Sequence, residues 1–334
     1  MSLLKNRYEI VALVEAKMCN PNGDPDMANQ PRMDFETNLG IITDVAFKAR
    51  MRNYVYDAYH NEAGHSILMI NGNNINRNIA EAMLAVNNTD SMEKVEDKKT
   101  EEATKYMCEK YWDVRTFGAV LSTGLNAGQV RGAAQVSMAL SVNPIEPSII
   151  TITRDCFVDK TYQTLEEYDN YDKHLDPSSK RSMGTKAFIP YGLYVMKMSV
   201  SANLAEKVGF TEDDMDLLLE SVVQMYNNDT SSSKMGMSVL TPVIVFKHIG
   251  NSDPGNEEQL IRERKLGCAP AYKLFNMVSI ERKKDVEVVR DSSDYNITLH
   301  MEDLPAGVEC GLKKAPYEDV EWLNKKEEIN LMEV

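Results

Sequence analysis

The sequence predicts an α+β fold: an RRM-like (ferredoxin-like) antiparallel β-sheet in a single domain over residues 1–334, interrupted by two insertions. Three observations carry that prediction. The periodic segments run in the order β-α-β-β-α-β, the order of one antiparallel sheet with two helices on one face. Residues 61–115 are polar, Asn-rich and then charge-rich, which marks an inserted lobe. Residues 155–186 carry many Tyr, Asp, Lys and Ser with little periodicity, which marks an excursion from the core.

Tyr8 to Lys17 alternates loosely around Ile10, Ala12, Val14 and Ala16 and reads as the first strand. A loop of roughly 25 residues follows, long enough to be functional or disordered. Thr43 or Asp44 then caps a helix whose apolar stripe is Phe47, Met51, Tyr54, Val55, Ala58 and Tyr59. Within the inserted lobe, Ile79–Val86 and Ala103–Trp112 read as helical. Gly124, Gly128 and Gly132 punctuate a loop into a strand at Ala133–Val142, which Pro144 and Pro147 close. Ser148–Thr153 is a short strand. After the excursion, Phe188–Ser201 alternates as a strand. Thr211-Glu212-Asp213-Asp214 starts a helix with the stripe Met215, Leu218, Leu219, Val222, Val223 and Tyr226. A loop at Asn227–Gly236 leads into a strand at Val239–Lys247. Shorter strands follow, and Tyr317–Asn330 reads as an acidic tail of helical composition.

The totals narrow the class. With 43% hydrophobic and 26% charged residues, the 334-residue chain is an ordinary globular protein. No apolar run approaches the roughly 18–20 residues that span a bilayer. No signal peptide is read at the start, and the five cysteines stand apart as reduced thiols, so a cytoplasmic location with no membrane partner is expected. A net charge of −14 argues against a simple DNA-coating protein. The acid is uneven: 300–334 holds nine Asp/Glu against four Lys, whereas 44–56, 114–154 and 172–197 are locally basic. Solvated surfaces of both signs would explain this equally well.

Four segments have a composition suited to gripping phosphate. Asn20-Pro21-Asn22-Gly23-Asp24-Pro25-Asp26 alternates oxygen ligands, but Pro25 interrupts the acids and no bidentate Glu follows, so it fails the EF-hand pattern. An Asx/Pro turn is its plain reading. Lys48 and Arg52 are i,i+4 neighbours on one helix face, with Arg50 about 200° from Lys48. Either this is a solvated polar face, or Lys48 and Arg52 line a phosphate track with Arg32 while Arg50 pairs elsewhere. Asp113-Val114-Arg115-Thr116-Phe117-Gly118 and Gly128-Gln129-Val130-Arg131-Gly132 suggest a phosphate cradle without a P-loop ending, although turn formation alone explains the glycines. Lys180-Arg181-Ser182-Met183-Gly184-Thr185-Lys186 is the most basic run; it is a solvated hairpin end, or a grip in which Met183 wedges between bases. Catalytic constellations are missing. The five histidines lack metal-ligand spacing and no nucleophile elbow occurs, so neither enzyme activity nor a cofactor or metal is expected.

These motifs carry a family resemblance. Asn20–Asp26, Pro31-Arg32-x-Asp34, Thr43-Asp44-Val45 with Lys48-x-Arg50-x-Arg52, the two Gly-containing motifs and Pro190-Tyr191-Gly192-Leu193-Tyr194 recur in this order. The chain resembles the backbone subunit of type I CRISPR interference complexes (Cascade), the family numbered seven among CRISPR-associated proteins, in its type I-C branch. The likeness runs from about residue 8 to about residue 275. It implies an RRM-like palm with an inserted helical finger at 61–115 and a β-hairpin thumb at 155–186. It implies polymerisation with other copies along a guide crRNA spacer, with sequence read by pairing to a target DNA strand. Other Cascade subunits and a recruited helicase-nuclease would be partners. Implied RNA contacts are Asn22, Arg32, Lys48, Arg50, Arg52, Arg131, Lys180, Arg181, Met183 and Lys186. Gly132-Ala133 and Met183-Gly184-Thr185-Lys186 depart from the family pattern, and the second lacks one cation. Two other classes stay open: a metal-dependent nucleic-acid-processing enzyme using Asp24, Asp26 and Asp34, and a homo-oligomer without ligand.

Overall fold

The computed structural model describes residues 2–95, 99–324 and 327–334. Residues 96–98 of the inserted lobe and 325–326 of the acidic tail lie outside the described residues. The chain starts with β1 (Tyr8–Cys19). The long loop holds β2 (Gly23–Asp24) and β3 (Gln30–Pro31), which pair with each other, and then β4 (Leu39–Ile42). Helices α1 (Asp44–Tyr59), α2 (Ile75–Asn87), α3 (Thr100–Lys110) and α4 (Trp112–Phe117) follow. Strands β5 (Ala119–Val120) and β6 (Gln129–Val130) pair; after them come β7 (Ala134–Val136), β8 (Ala139–Pro144) and β9 (Ser148–Arg154). Then come α5 (Leu165–His174), the long β10 (Ser182–Val200), α6 (Ala202–Val208), α7 (Glu212–Asn228) and β11 (Met237–His248). The C-terminal segment adds α8 (Glu257–Leu266), α9 (Ala271–Phe275), β12 (Val278–Arg282), β13 (Tyr295–Leu299), β14 (Val308–Lys313), β15 (Glu321–Trp322) and β16 (Ile329–Asn330).

One large antiparallel sheet organises these elements in the order β15-β14-β11-β1-β10-β8-β4, with β7 and β9 also paired to β10. β1 lies between β10 and β11. Tyr8 faces Val200 and Cys19 faces Ile189 on one side, and Tyr8 faces Lys247 on the other. Its alternation is loose because both faces of the sheet are covered. Ile10, Ala12, Val14 and Ala16 point into one core with Phe47, Met51 and Val55 of α1 and Met215, Leu218 and Val222 of α7. Val11 and Leu13 point into a second core with Leu274, Met277, Tyr295, Ile297 and Leu299. A strand buried on both sides reads as a near-continuous apolar run rather than a clean alternation.

Both helix starts form as their sequences predict. Thr43 accepts the Ala46 amide, and Thr211 with Asp214 forms a reciprocal capping box. Four sequence expectations change. The strand expected over Ala133–Val142 is interrupted between β7 and β8, and the one expected from Phe188 begins at Ser182. The acidic tail contains no helix among its described residues; β15 and β16 add it to β14 and β13 instead. Ala58, expected in the apolar stripe of α1, is exposed. No described helix is long and apolar enough to cross a membrane.

Candidate nucleic-acid interface

The loop after β1 is folded by its own polar groups. Asn20 Nδ2 donates to the Asn29 carbonyl (2.7 Å), Arg32 N to the Asn22 carbonyl (2.9 Å) and Ile41 N to the Arg32 carbonyl (2.9 Å). Asn22 Oδ1 accepts both the Thr43 amide (2.9 Å) and the Thr43 hydroxyl (3.0 Å), fixing the loop to the start of α1. Asp34 is occupied by its own turn, accepting the Thr37 hydroxyl at 2.6 Å. A segment closed by this many internal bonds is an ordered platform.

A second loop, between α7 and β11, completes the platform. Ser233 O accepts the Asn20 amide (2.9 Å), and Lys17 N donates to Gly236 O (2.8 Å). A side chain at Gly236 would put its Cβ 1.7 Å from Lys17 O, so only glycine permits this approach. Lys234 Nζ donates to the carbonyls of Asn20 and Pro21. Burial, with nearby Arg50 adding to it, lowers the Lys234 pKa to about 8. Lys186 Nζ reaches Ser232 O (3.0 Å) from the base of the β9–β10 hairpin. Lys234 had no motif to announce it, being a single lysine in a Ser/Gly loop.

Three cations of this region, Arg32, Lys48 and Arg50, have a carboxylate partner, whereas Lys186 and Lys234 bond backbone carbonyls. Arg32 Nη1 lies 3.1 Å from Asp24 Oδ2, and Lys48 Nζ lies 2.8 Å from Asp44 Oδ2. Arg50 pairs with Asp229, the residue that caps α7. Nε of Arg32 is buried without a partner, so this guanidinium has an unused donor. The structure thus brings Asn22, Arg32, Arg50, Lys186 and Lys234 into one connected region, with Lys48 on the adjoining turn of α1.

Arg52 is a different case. It is 9% exposed, with Nε 2.9 Å from Asp113 and its guanidinium 5.1 Å over the Phe117 ring. It is an interior residue, and the shared Lys48/Arg52 face therefore leaves Lys48 alone at the rim. The i,i+4 rule placed the two side chains together without saying that Arg52 lies between buried Met51 and Val55. The 113–118 motif is interior as well. Asp113 accepts the Leu68 (2.8 Å) and Met69 (3.0 Å) amides beside Arg52. Arg115 grips Asp214 with two bonds of 2.9 and 2.7 Å and also donates to Gly64 O (2.7 Å). Gly118 and Gly132 mark a crossing of two backbones, since a Cβ on Gly132 would sit 2.4 Å from Gly118 N. The glycines serve packing, and Gln129 and Arg131 are the exposed residues of Gly128–Gly132.

Arg131 lies at a distance from the loop platform. It precedes β7, which pairs with Met198–Val200 at the end of β10, whereas the platform meets the beginning of β10. Arg131 and Lys180 have no side-chain partner among the described residues, and exposed Arg181 pairs with Asp155 at 3.1 Å. Met183 stands 79% exposed on the β9–β10 hairpin, opposite Thr153. Ile149, Ile150 and Ile152 are exposed along the same hairpin.

The acids proposed for metal chemistry do not converge. Asp24 is occupied by Arg32 and the Asp26 amide, and Asp34 by its turn. Among the described residues, one group has ligand atoms near enough to share an ion: His300, Glu302 and Glu328, in the C-terminal segment, where the imidazole Nδ1 lies 3.1 and 3.2 Å from the two carboxylates. His248 is committed to the fold, its Nε2 2.5 Å from buried Glu9 and its Nδ1 accepting the Cys268 amide.

Comparison with known proteins adds a family. The family model described as CRISPR-associated protein Cas7 matches residues 6–300. A curated relative of that name from Haloferax volcanii is 26% identical over 323 residues, covering 89% of this chain and 86% of its own. Two solved structures are similar. One is titled "CRISPR RNA-guided surveillance complex, pre-nicking" (TM-score 0.43, 11% identity, 74% of this chain and 79% of that one). The other is titled "CRISPR RNA-guided surveillance complex" (TM-score 0.42, 14% identity, 74% and 70%).

Proposed function

The chain belongs to the family of CRISPR-associated protein Cas7, and from that premise we propose that it is a non-enzymatic, crRNA-binding backbone subunit of a type I-C CRISPR interference (Cascade) complex. Copies of the chain polymerise along the guide spacer, and pairing between guide and a target DNA strand reads sequence while the protein holds the backbone. The core is RRM-like: first and last strands of the β-α-β-β-α-β order, β1 and β11, lie side by side, and α1 and α7 share one face. The second core covers the opposite face, which an ordinary RRM would use for stacking bases. RNA is therefore held at the loops. Residues 61–115 act as the finger and 155–186 as the thumb, which extends along β9 and the start of β10. The complex works in the cytoplasm, with other Cascade subunits and a recruited helicase-nuclease as partners.

The observation that carries this reading is the platform of Asn20–Arg32 and 229–236, where cations from four segments meet on an ordered, solvent-facing edge. Asn22 shapes that edge; Arg32, Lys48, Arg50 and Lys186 contact phosphate, with Arg131, Lys180 and Arg181 extending the track. Met183 wedges the guide. Arg52 leaves the set because its charge is used inside. The test is the double variant Arg32→Glu/Lys48→Glu. The wild type should purify with nucleic acid in a large assembly, and the variant should be a folded, nucleic-acid-free subunit. A folded variant that retains full-length guide would remove this edge from the interface.

A further inference from the structure

The rim cations are not free charges awaiting a ligand. Arg32, Lys48 and Arg50 each hold an aspartate, and the six side chains are between 17% and 32% exposed. They are open enough for a phosphate to reach and enclosed enough for the pairs to keep their geometry. Arg131 and Lys180 have no such partners among the described residues. Building on the crRNA-binding reading, we propose that Asp24, Asp44 and Asp229 are built-in competitors for phosphate, which close the track to isolated phosphates and open it to a single strand that offers several at once.

The physical argument is one of exchange. A phosphate arriving at Arg32 or Arg50 gains a charge-assisted contact but displaces a carboxylate that already provides one, so the net gain per site is small. Each exchange also leaves an unpaired carboxylate at the rim. Retention then depends on many exchanges made together, with Arg131 and Lys180 contributing full contacts. Short or discontinuous polyanions cannot collect that sum. The arrangement also reconciles a polyanion-binding edge with a chain of net charge −14, since the acids stand beside the cations they restrain.

Counterion release makes the idea measurable. A cation transferred to a single strand releases about 0.7 counterion, which steepens the salt dependence of binding. A cation taken from a carboxylate contributes less, because the liberated acid recruits a cation of its own. Asp24→Asn and Asp229→Asn preserve shape and hydrogen-bonding capacity: asparagine can still accept the Asp26 amide at position 24 and the Asn53 side chain at position 229.

The experiment measures binding of an unstructured oligouridylate across a salt series, with thermal unfolding recorded for each protein. Glu258→Gln, on exposed α8, controls for charge removal elsewhere. Each aspartate variant should bind about 3- to 10-fold more tightly than wild type, and its log–log salt slope should steepen by up to about 0.7. The control should match wild type. Wild type that binds with a clear salt slope, beside folded aspartate variants of identical affinity and slope, would overturn the gate while leaving the crRNA reading intact. Tighter binding of equal size in the Glu258→Gln control would also overturn it, since net charge would then be the cause. No binding by any of the proteins at low salt would overturn the crRNA reading and the gate together.

Discussion

The α4 clamp and the Asn20–Arg32 platform use one chemistry, arginine against aspartate, for opposite ends. In the clamp, Arg52 meets Asp113 and Arg115 meets Asp214 inside the protein, where backbone amides and carbonyls satisfy the remaining polar atoms. On the platform, Arg32 meets Asp24 and Arg50 meets Asp229 at a surface that water reaches. Arg50 and Arg52 are two residues apart on one helix. Burial separates Arg52, whose charge ties α1 to α4, from Arg50, whose charge stays at the solvent-facing rim.

The largest effect expected from this contrast is at Arg115. Its removal leaves the Asp214 carboxylate buried with the α7 capping box as its remaining support, and breaking such a pair costs about 3–5 kcal/mol. Arg115→Ala should therefore lower the urea midpoint severely or yield insoluble protein. Arg115→Lys should rescue it poorly, because an ammonium cannot reproduce the paired guanidinium contacts. A variant with an unchanged midpoint would place the clamp in the same class as the rim.

The rim gives the converse. Arg50→Ala removes a partly exposed pair, for which about 1 kcal/mol or less is expected. The fold should survive with a small shift of the midpoint, while affinity for single-stranded RNA falls. A loss as large as that at Arg115 would show that the Arg50–Asp229 pair is a structural clamp and that lending it to phosphate is too costly.

Legibility in the sequence follows the same division. β1, α1, α7 and β11 were readable because local periodicity and caps agree with the tertiary structure. The role of Arg52 was not, since helical spacing gives a shared face but not what covers it. Its signal was its place between Met51 and Val55, together with Asp113 set between Trp112 and Val114. The C-terminal segment was least legible. Its short strands β15 and β16 acquire order from pairing with β14 and β13, and a two-residue strand has no periodicity to detect. The platform was half legible: the Asn20–Asp26 motif announced one wall, whereas the 229–236 wall has ordinary loop composition.

The smallest effect concerns how that C-terminal segment is held over the sheet, by a rim-type pair in a structural setting. Lys17 of β1 reaches Asp291 at 2.6 Å, and Asp291 also accepts the Ser293 amide at 2.9 Å. The lysine contact, followed by the backbone bond, draws the Asp291 pKa down to about 2, and the same contact raises that of Lys17. A carboxylate lowered on folding stabilises above its unfolded pKa of about 3.9 and loses that contribution as pH falls through about 2; a raised lysine stabilises below about 10.4 and loses it at higher pH. The pair thus supports the fold across the neutral range and fades at both extremes. Because Asp291 is about half exposed, solvent screening limits its share to about 0.5–1 kcal/mol. Asp291→Asn should unfold slightly earlier than wild type at pH 7, and the two curves should converge near pH 2. A gap that persists at that pH would mean that Asp291 contributes through shape and hydrogen bonding, so that even an exposed aspartate here belongs with the clamp.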